Sequence, residues 1–116
     1  MKPTISLTRI VQDFFRQHLV AERDLSPHTV LSYRDCLRLL LKFMGQCLQR
    51  SADQITLDDI DAARVRAFLD TLERERGCSS NTRNQRLAAI RTFFRYVASV
   101  SPEHLDRCRQ IRPIFK

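Results

Sequence analysis

Arg83, Asn84, Arg86, Arg91 and Arg95 stand together in "SSNTRNQRLAAIRTFFRYVAS", residues 79–99, a stretch without a single acidic residue. A guanidinium presents a planar fork of donors that fits phosphate oxygens or a guanine edge, and an Asn carboxamide fits an adenine edge. In a helix, Asn84, Ala88, Arg91 and Arg95 fall at i, i+4, i+7 and i+11 and share one stripe. Arg34, Arg38 and Lys42 repeat the pattern at i, i+4 and i+8, behind the hydroxyls of Thr29 and Ser32. Both sets follow a Ser-x-x-Thr sequence, suited to a helix start. Helix N-termini carry unpaired N–H groups and a partial positive charge that favour anions. Arg83, Asn84 and Arg86 sit at such a start, where a helix entering a major groove makes its base contacts. The chemistry on offer is recognition of a polyanion.

Bond-making chemistry has no comparable set. The three histidines are scattered, no serine adjoins a plausible base, and no Gly-rich phosphate loop is present. Asp58, Asp59 and Asp61 fit the first turn of a helix, where acids complement the dipole, better than they fit a metal site. Tyr33 and Tyr96 lie within helical patterns, Tyr33 on the apolar stripe, and neither has the basic cluster that would activate a nucleophile. Cys36, Cys47, Cys78 and Cys108 form no CxxC pair, and His104 with Cys108 gives only two ligands at i, i+4. The expectation is reduced thiols packed as small apolar groups, with no catalytic residue, metal or cofactor in these 116 residues.

The elements that must position the basic residues read as helices. Leu7, Ile10, Val11, Phe14, Phe15, His18 and Leu19 recur at three and four, predicting a helix over about 7–23. Ser26 as N-cap and Pro27 at the first helical position open a second, with Val30, Tyr33, Leu37, Leu40, Leu41 and Met44 inward; it reaches about Leu48 despite Gly45. Thr56 and Asp59 predict a capping box ahead of a third, with a break near Asp61, an apolar stripe of Ile60, Val65, Phe68, Leu69 and Leu72, and Gly77 as a left-handed end. Ser79 or Ser80 caps the fourth, whose stripe is Leu87, Ile90, Phe94 and Val97, flanked by Phe93. Ser101-Pro102 restarts a short fifth, to about Ile111.

Composition agrees with a helical protein. Two glycines, four prolines and no tryptophan leave few turn residues for a sheet, while 43% hydrophobic and 28% charged residues are ordinary for a globular domain. No apolar run reaches the roughly 18 residues of a membrane span, and the N-terminus has no signal-peptide core. A cytoplasmic protein with no membrane partner is expected. Net charge is +7, and it is segregated. Residues 51–76 carry seven acids and four arginines, so the rest is strongly basic. Nucleic acid is the first expected partner.

Two segments carry a family resemblance. "LSPHTVLSYRDCLRLLLKFM", with Thr29, Tyr33 and Arg34, resembles the second helix of the N-terminal core-binding domain of tyrosine recombinases, the phage integrase family. "AFLDTLERERGCSSNTRNQRLAAIRTFFRYV" resembles its third and fourth helices in the transposon-associated form, through Thr-Arg-Asn-x-Arg-Leu-x-x-Ile-Arg-x-Phe-Phe. The likeness runs from Ile5 to Val100. It implies an all-α fold, a four-helix orthogonal SAM-like bundle with a short extra C-terminal helix, over residues 1–112, and a linker starting at 113–116.

The resemblance also implies a DNA-binding domain that clamps one face of a recombination site, with helices two and four toward the major groove of double-stranded DNA. Thr29, Ser32, Arg34, Arg83, Asn84, Arg86, Arg91 and Arg95 become DNA-facing by position, and helical spacing adds Arg38 and Lys42. The family's tyrosine nucleophile and its Arg/His-rich site belong to a catalytic domain that would follow Lys116. This stretch is therefore expected to bind DNA, and a longer parent to integrate and recombine it alongside other protomers in a synaptic complex. The competing expectation is a helical protein-interaction module using Leu31 and Leu39; a helix-turn-helix regulator fits less well, because the second helix is long.

Overall fold

The computed structural model describes residues 7–19, 26–77 and 80–111, and every regular element among them is helical. The described chain divides into two compact units, residues 1–60 and 61–116.

In the first unit, α1 (Leu7–Asp13) runs into a π-helical turn, Phe14–Leu19, and α2 spans Pro27–Leu48. Of the expected inward face, Leu7, Val11 and Phe14 are buried and Ile10 and Phe15 half-buried. The side chains of His18 and Leu19, and the residues from Val20 to Arg23 that complete the expected helix, lie outside what is described. α2 starts as its sequence dictates. The Ser26 hydroxyl accepts from the Thr29 N–H at 3.2 Å and lies 2.9 Å from the Thr29 hydroxyl, with Pro27 in the first turn. Leu37, Leu40 and Met44 are buried together with Cys36, while Val30, Tyr33 and Leu41 are half-buried.

α2 ends on Gln49 in the left-handed region (φ 53°), and the Gly45 carbonyl accepts from both Gln49 and Arg50. That return brings the Arg50 carbonyl within 3.1 Å of where a Gly45 Cβ would stand, which is why a glycine is tolerated inside this helix. Two single 3₁₀ turns follow, Ala52–Gln54 and Leu57–Asp59. They fasten to α1: Leu7 N–H donates to the Ile55 carbonyl at 2.7 Å, and the Thr8 hydroxyl donates to that of Ala52. The expected capping box is present at Thr56 and Asp59, but it opens the second 3₁₀ turn and not a long helix.

In the second unit, the break expected near Asp61 occurs, and Asp61 itself caps α3 (Ala62–Arg76), its carboxylate accepting from the Arg64 N–H at 2.8 Å. Gly77 (φ 59°) ends α3 in the left-handed region that glycine enters without a Cβ clash. α4 spans Ser80–Val100; Ser79 and the Ser80 side chain, the expected caps, lie outside what is described. A 3₁₀ turn at Pro102–His104 leads into α5 (Leu105–Ile111). The expected stripe of α4 is buried and widened by Ala89, Thr92, Phe93 and Tyr96. It packs against α3 and α5, with Val65, Phe68, Leu69, Leu72, Cys108 and Ile111 completing this core. The residues from 112 on, including the expected linker, lie outside the described residues.

A candidate nucleic-acid interface

Burial of so much of α4 leaves one outward strip. Asn81, Gln85, Ala88, Arg95 and Ser99 are exposed, with Asn84 and Arg91 half-buried beside them. This is the stripe that the helical spacing marks out, so the acid-free face is also the solvent face. On α2 the same holds for Ser32, Arg34, Arg38 and Lys42, all exposed, while Thr29 is half-buried and engaged in the helix cap. The two sets belong to different units.

The arginines divide into two populations. Arg50 is held by Asp59 at 3.2 Å and Arg64 by Asp61 at 3.2 Å. By contrast, the side chains of Arg34, Arg38, Lys42, Arg95 and Arg109 make no hydrogen bond or ion pair among the described residues. An exposed cation without an internal partner keeps its full charge for an external anion. Arg34, Arg38 and Lys42 on α2, Arg95 on α4 and Arg109 on α5 are thus open to an external anion, as are Arg16, Arg66 and Arg107 elsewhere.

Arg83 stands apart from the strip. It is only 8% exposed, and one guanidinium nitrogen donates to Asp70 at 2.9 Å and to Glu73 at 3.0 Å. The cause is positional. Arg83 stands four residues before Leu87, so it heads the buried stripe Leu87, Ile90, Phe94 and Val97 and points at α3, where Asp70 and Glu73 share a face at i, i+3. The apolar period, followed one step back toward the helix start, carries that signal. Arg86 is half-buried and lies off the strip, on the side of α4 that carries Ile90, Phe93 and Val97.

α4 and α5 enclose a cleft of about 370 Å³. Arg91, Arg95 and Arg109 line it around Phe94, Ala98, Leu105 and Cys108. Arg109 is the residue that the linear reading missed, because nothing in the spacing of α5 alone ties it to α4. Cys108 is buried in this cleft, and loss of water pushes its thiol pKa up against a smaller lowering by a backbone hydrogen bond. Cys36 is buried as expected and Cys47 is exposed. No cluster of His, Cys, Asp or Glu able to hold a metal ion occurs among the described residues, and none of their helices is long and apolar enough to cross a membrane.

This architecture has known relatives. The family model for the phage integrase N-terminal SAM-like domain matches residues 12–99, and the chain belongs to that family. A Sinorhizobium fredii protein named as an integrase/recombinase, y4rC, is 43% identical over 109 residues, which is 94% of this chain and 33% of the relative. A second from the same organism, y4rD, is 39% identical over 98% of this chain and 41% of its own length. The tyrosine recombinase XerC of Pelobacter propionicus is 39% identical over 72% of this chain and 26% of its own length. The chain thus spans between a quarter and two-fifths of these relatives. No solved structure matches it.

Proposed function

We propose that this chain binds double-stranded DNA as the N-terminal module of a site-specific tyrosine recombinase. The exposed flanks of α2 and of α4 each contact duplex DNA: Arg34, Arg38 and Lys42 on the first, Arg91 and Arg95 on the second, with Ser32 and Asn84 beside them and Arg86 at the α4 start for groove-edge contacts. Thr29 acts through the cap that shapes the α2 start. Arg83 acts through α3 and touches no DNA. Cutting and rejoining of strands, and assembly of protomers into a synaptic complex, belong to the longer recombinase that the relatives represent.

The observation carrying this reading is the division of the arginines. Arg34, Arg38 and Lys42 on α2 and Arg95 on α4 have no internal partner among the described residues, while Arg50, Arg64 and Arg83 are neutralised within the fold. The test is duplex binding by variants of each strip. Arg91→Glu with Arg95→Glu should weaken binding at least tenfold, each lost phosphate contact also carrying a charge repulsion. Asp53→Asn, on an exposed turn, should leave it unchanged. Equal effects of the two would overturn the assignment. Leu31, 54% exposed on α2, favours a protein-interaction module as the second reading; that reading predicts partner binding that persists at high salt.

A further inference from the structure

Three guanidinium-bearing side chains from two helices converge on the α4–α5 cleft. Arg91 and Arg95 come from successive turns of α4, and Arg109 from the last turn of α5. No carboxylate of the described residues lines it. The acids at the start of α5 stand apart: the Glu103 carboxylate is held by the Ser101 hydroxyl at 3.0 Å, and Asp106 is exposed and outside the lining. Between the arginines lie Phe94, Ala98 and Leu105, the last 39% exposed at the surface. The volume is at the lower end of small-ligand clefts, which run roughly from 300 to 1,000 Å³.

A cleft with a cationic lining and an apolar floor selects an anion attached to an apolar body. Guanidinium groups are suited to phosphate oxygens through paired donors. A deoxyribose ring supplies the apolar face that Phe94, Ala98 and Leu105 require. On these grounds we infer that the α4–α5 cleft seats the backbone of bound duplex DNA, with Arg109 on the enclosed phosphate, Arg91 and Arg95 on the phosphates flanking it, and Leu105 against the adjoining sugar. The inference rests on the DNA-binding reading and extends it to α5, which neither the spacing of the basic residues nor the family resemblance brought in. It makes Arg109 a contact residue, and it gives Leu105 a reason to be exposed.

The test uses a fluorescent duplex and the chain as it stands, with Arg109→Gln, Leu105→Gln and Leu105→Glu compared over a range of salt. Arg109→Gln should weaken binding several-fold and flatten the log–log salt slope by about 0.9, the amount for one phosphate contact. Leu105→Glu should lose far more affinity than Leu105→Gln, because only the first places a negative charge beside the phosphate. A duplex carrying one uncharged methylphosphonate at the seated position should bind less well to the unmodified chain and no less well to Arg109→Gln; this comparison stands even where a Leu105 variant is unstable. Inorganic phosphate added alone should compete only weakly, whereas competition equal to that of DNA would identify a free-anion site and overturn the inference. If the unmodified chain binds duplex but Arg109→Gln and Leu105→Glu match it, the cleft assignment fails and the DNA reading stands. If those variants instead lose self-association, the cleft is a protein seat. If the unmodified chain does not bind duplex at all, the DNA reading itself fails.

Discussion

Arg83 and Arg95 are twelve residues apart on one helix and perform different work. Arg83 spends its charge on Asp70 and Glu73, whereas Arg95 faces solvent without a partner. Replacing Arg83 by Gln removes two charge-assisted hydrogen bonds, but the acids it leaves are 59% and 45% exposed and rehydrate readily. The expected cost is roughly 1–2 kcal/mol of stability, read as a lower urea midpoint, with the salt slope of DNA binding unchanged. Arg95→Gln should do the reverse: an unchanged midpoint and a slope flatter by about 0.9. Both substitutions flattening the slope would show that Arg83 reaches DNA after all. Cys108 gives a pH prediction. Its pKa is raised in the fold, so the stability tied to its neutral thiol is intact below the free-thiol value, about 8.5, and is lost as pH rises past the raised value. The urea midpoint should therefore fall on the alkaline side, and Cys108→Ala should remove that component of the fall.

The elements follow their sequence signals where the signal is local. The Ser26-Pro27 start, the stop at Gly77, the break before Ala62 and the restart at Ser101-Pro102 are each set by one or two residues whose backbone preferences are strong. Gly77→Ala should destabilise by about 1 kcal/mol, because a Cβ is disfavoured at φ 59° even though no atom lies near enough to clash. Ser26→Ala should cost a similar amount through the lost cap, and thermal melts of both variants check this. Signals that depend on a neighbouring element were harder to read. The turn after Asp13 becomes π-helical without a proline or glycine to announce it. The Thr56 capping box looks the same in sequence whether it opens three residues or fifteen. Phe93, which the apolar period puts only at the flank, is fully buried because α4 buries more than a single stripe. Arg109 joins the α4 arginines only once α5 folds back along α4.

At the scale of the whole molecule the charge is distributed unequally. Residues 1–60 carry eight basic and seven acidic side chains, against twelve and six in residues 61–116. Most of the net +7 therefore resides in the unit that contains α4 and α5. Much of this was legible beforehand, because charge segregation is written in the chain and exposure follows from the apolar period; which arginines are neutralised internally was not, since that depends on helix pairing. The family match places this pattern in the N-terminal SAM-like domain of integrases. The most direct measurement of the central claim is the equilibrium binding of the chain to duplex DNA across a salt series, compared with a variant in which Arg34, Arg38, Arg91 and Arg95 are all Gln. Phosphate contact through these four predicts a log–log slope of at least about −3.6 for the unmodified chain and the loss of most of that slope in the variant. A shallow slope, or a variant that binds like the unmodified chain, would contradict it.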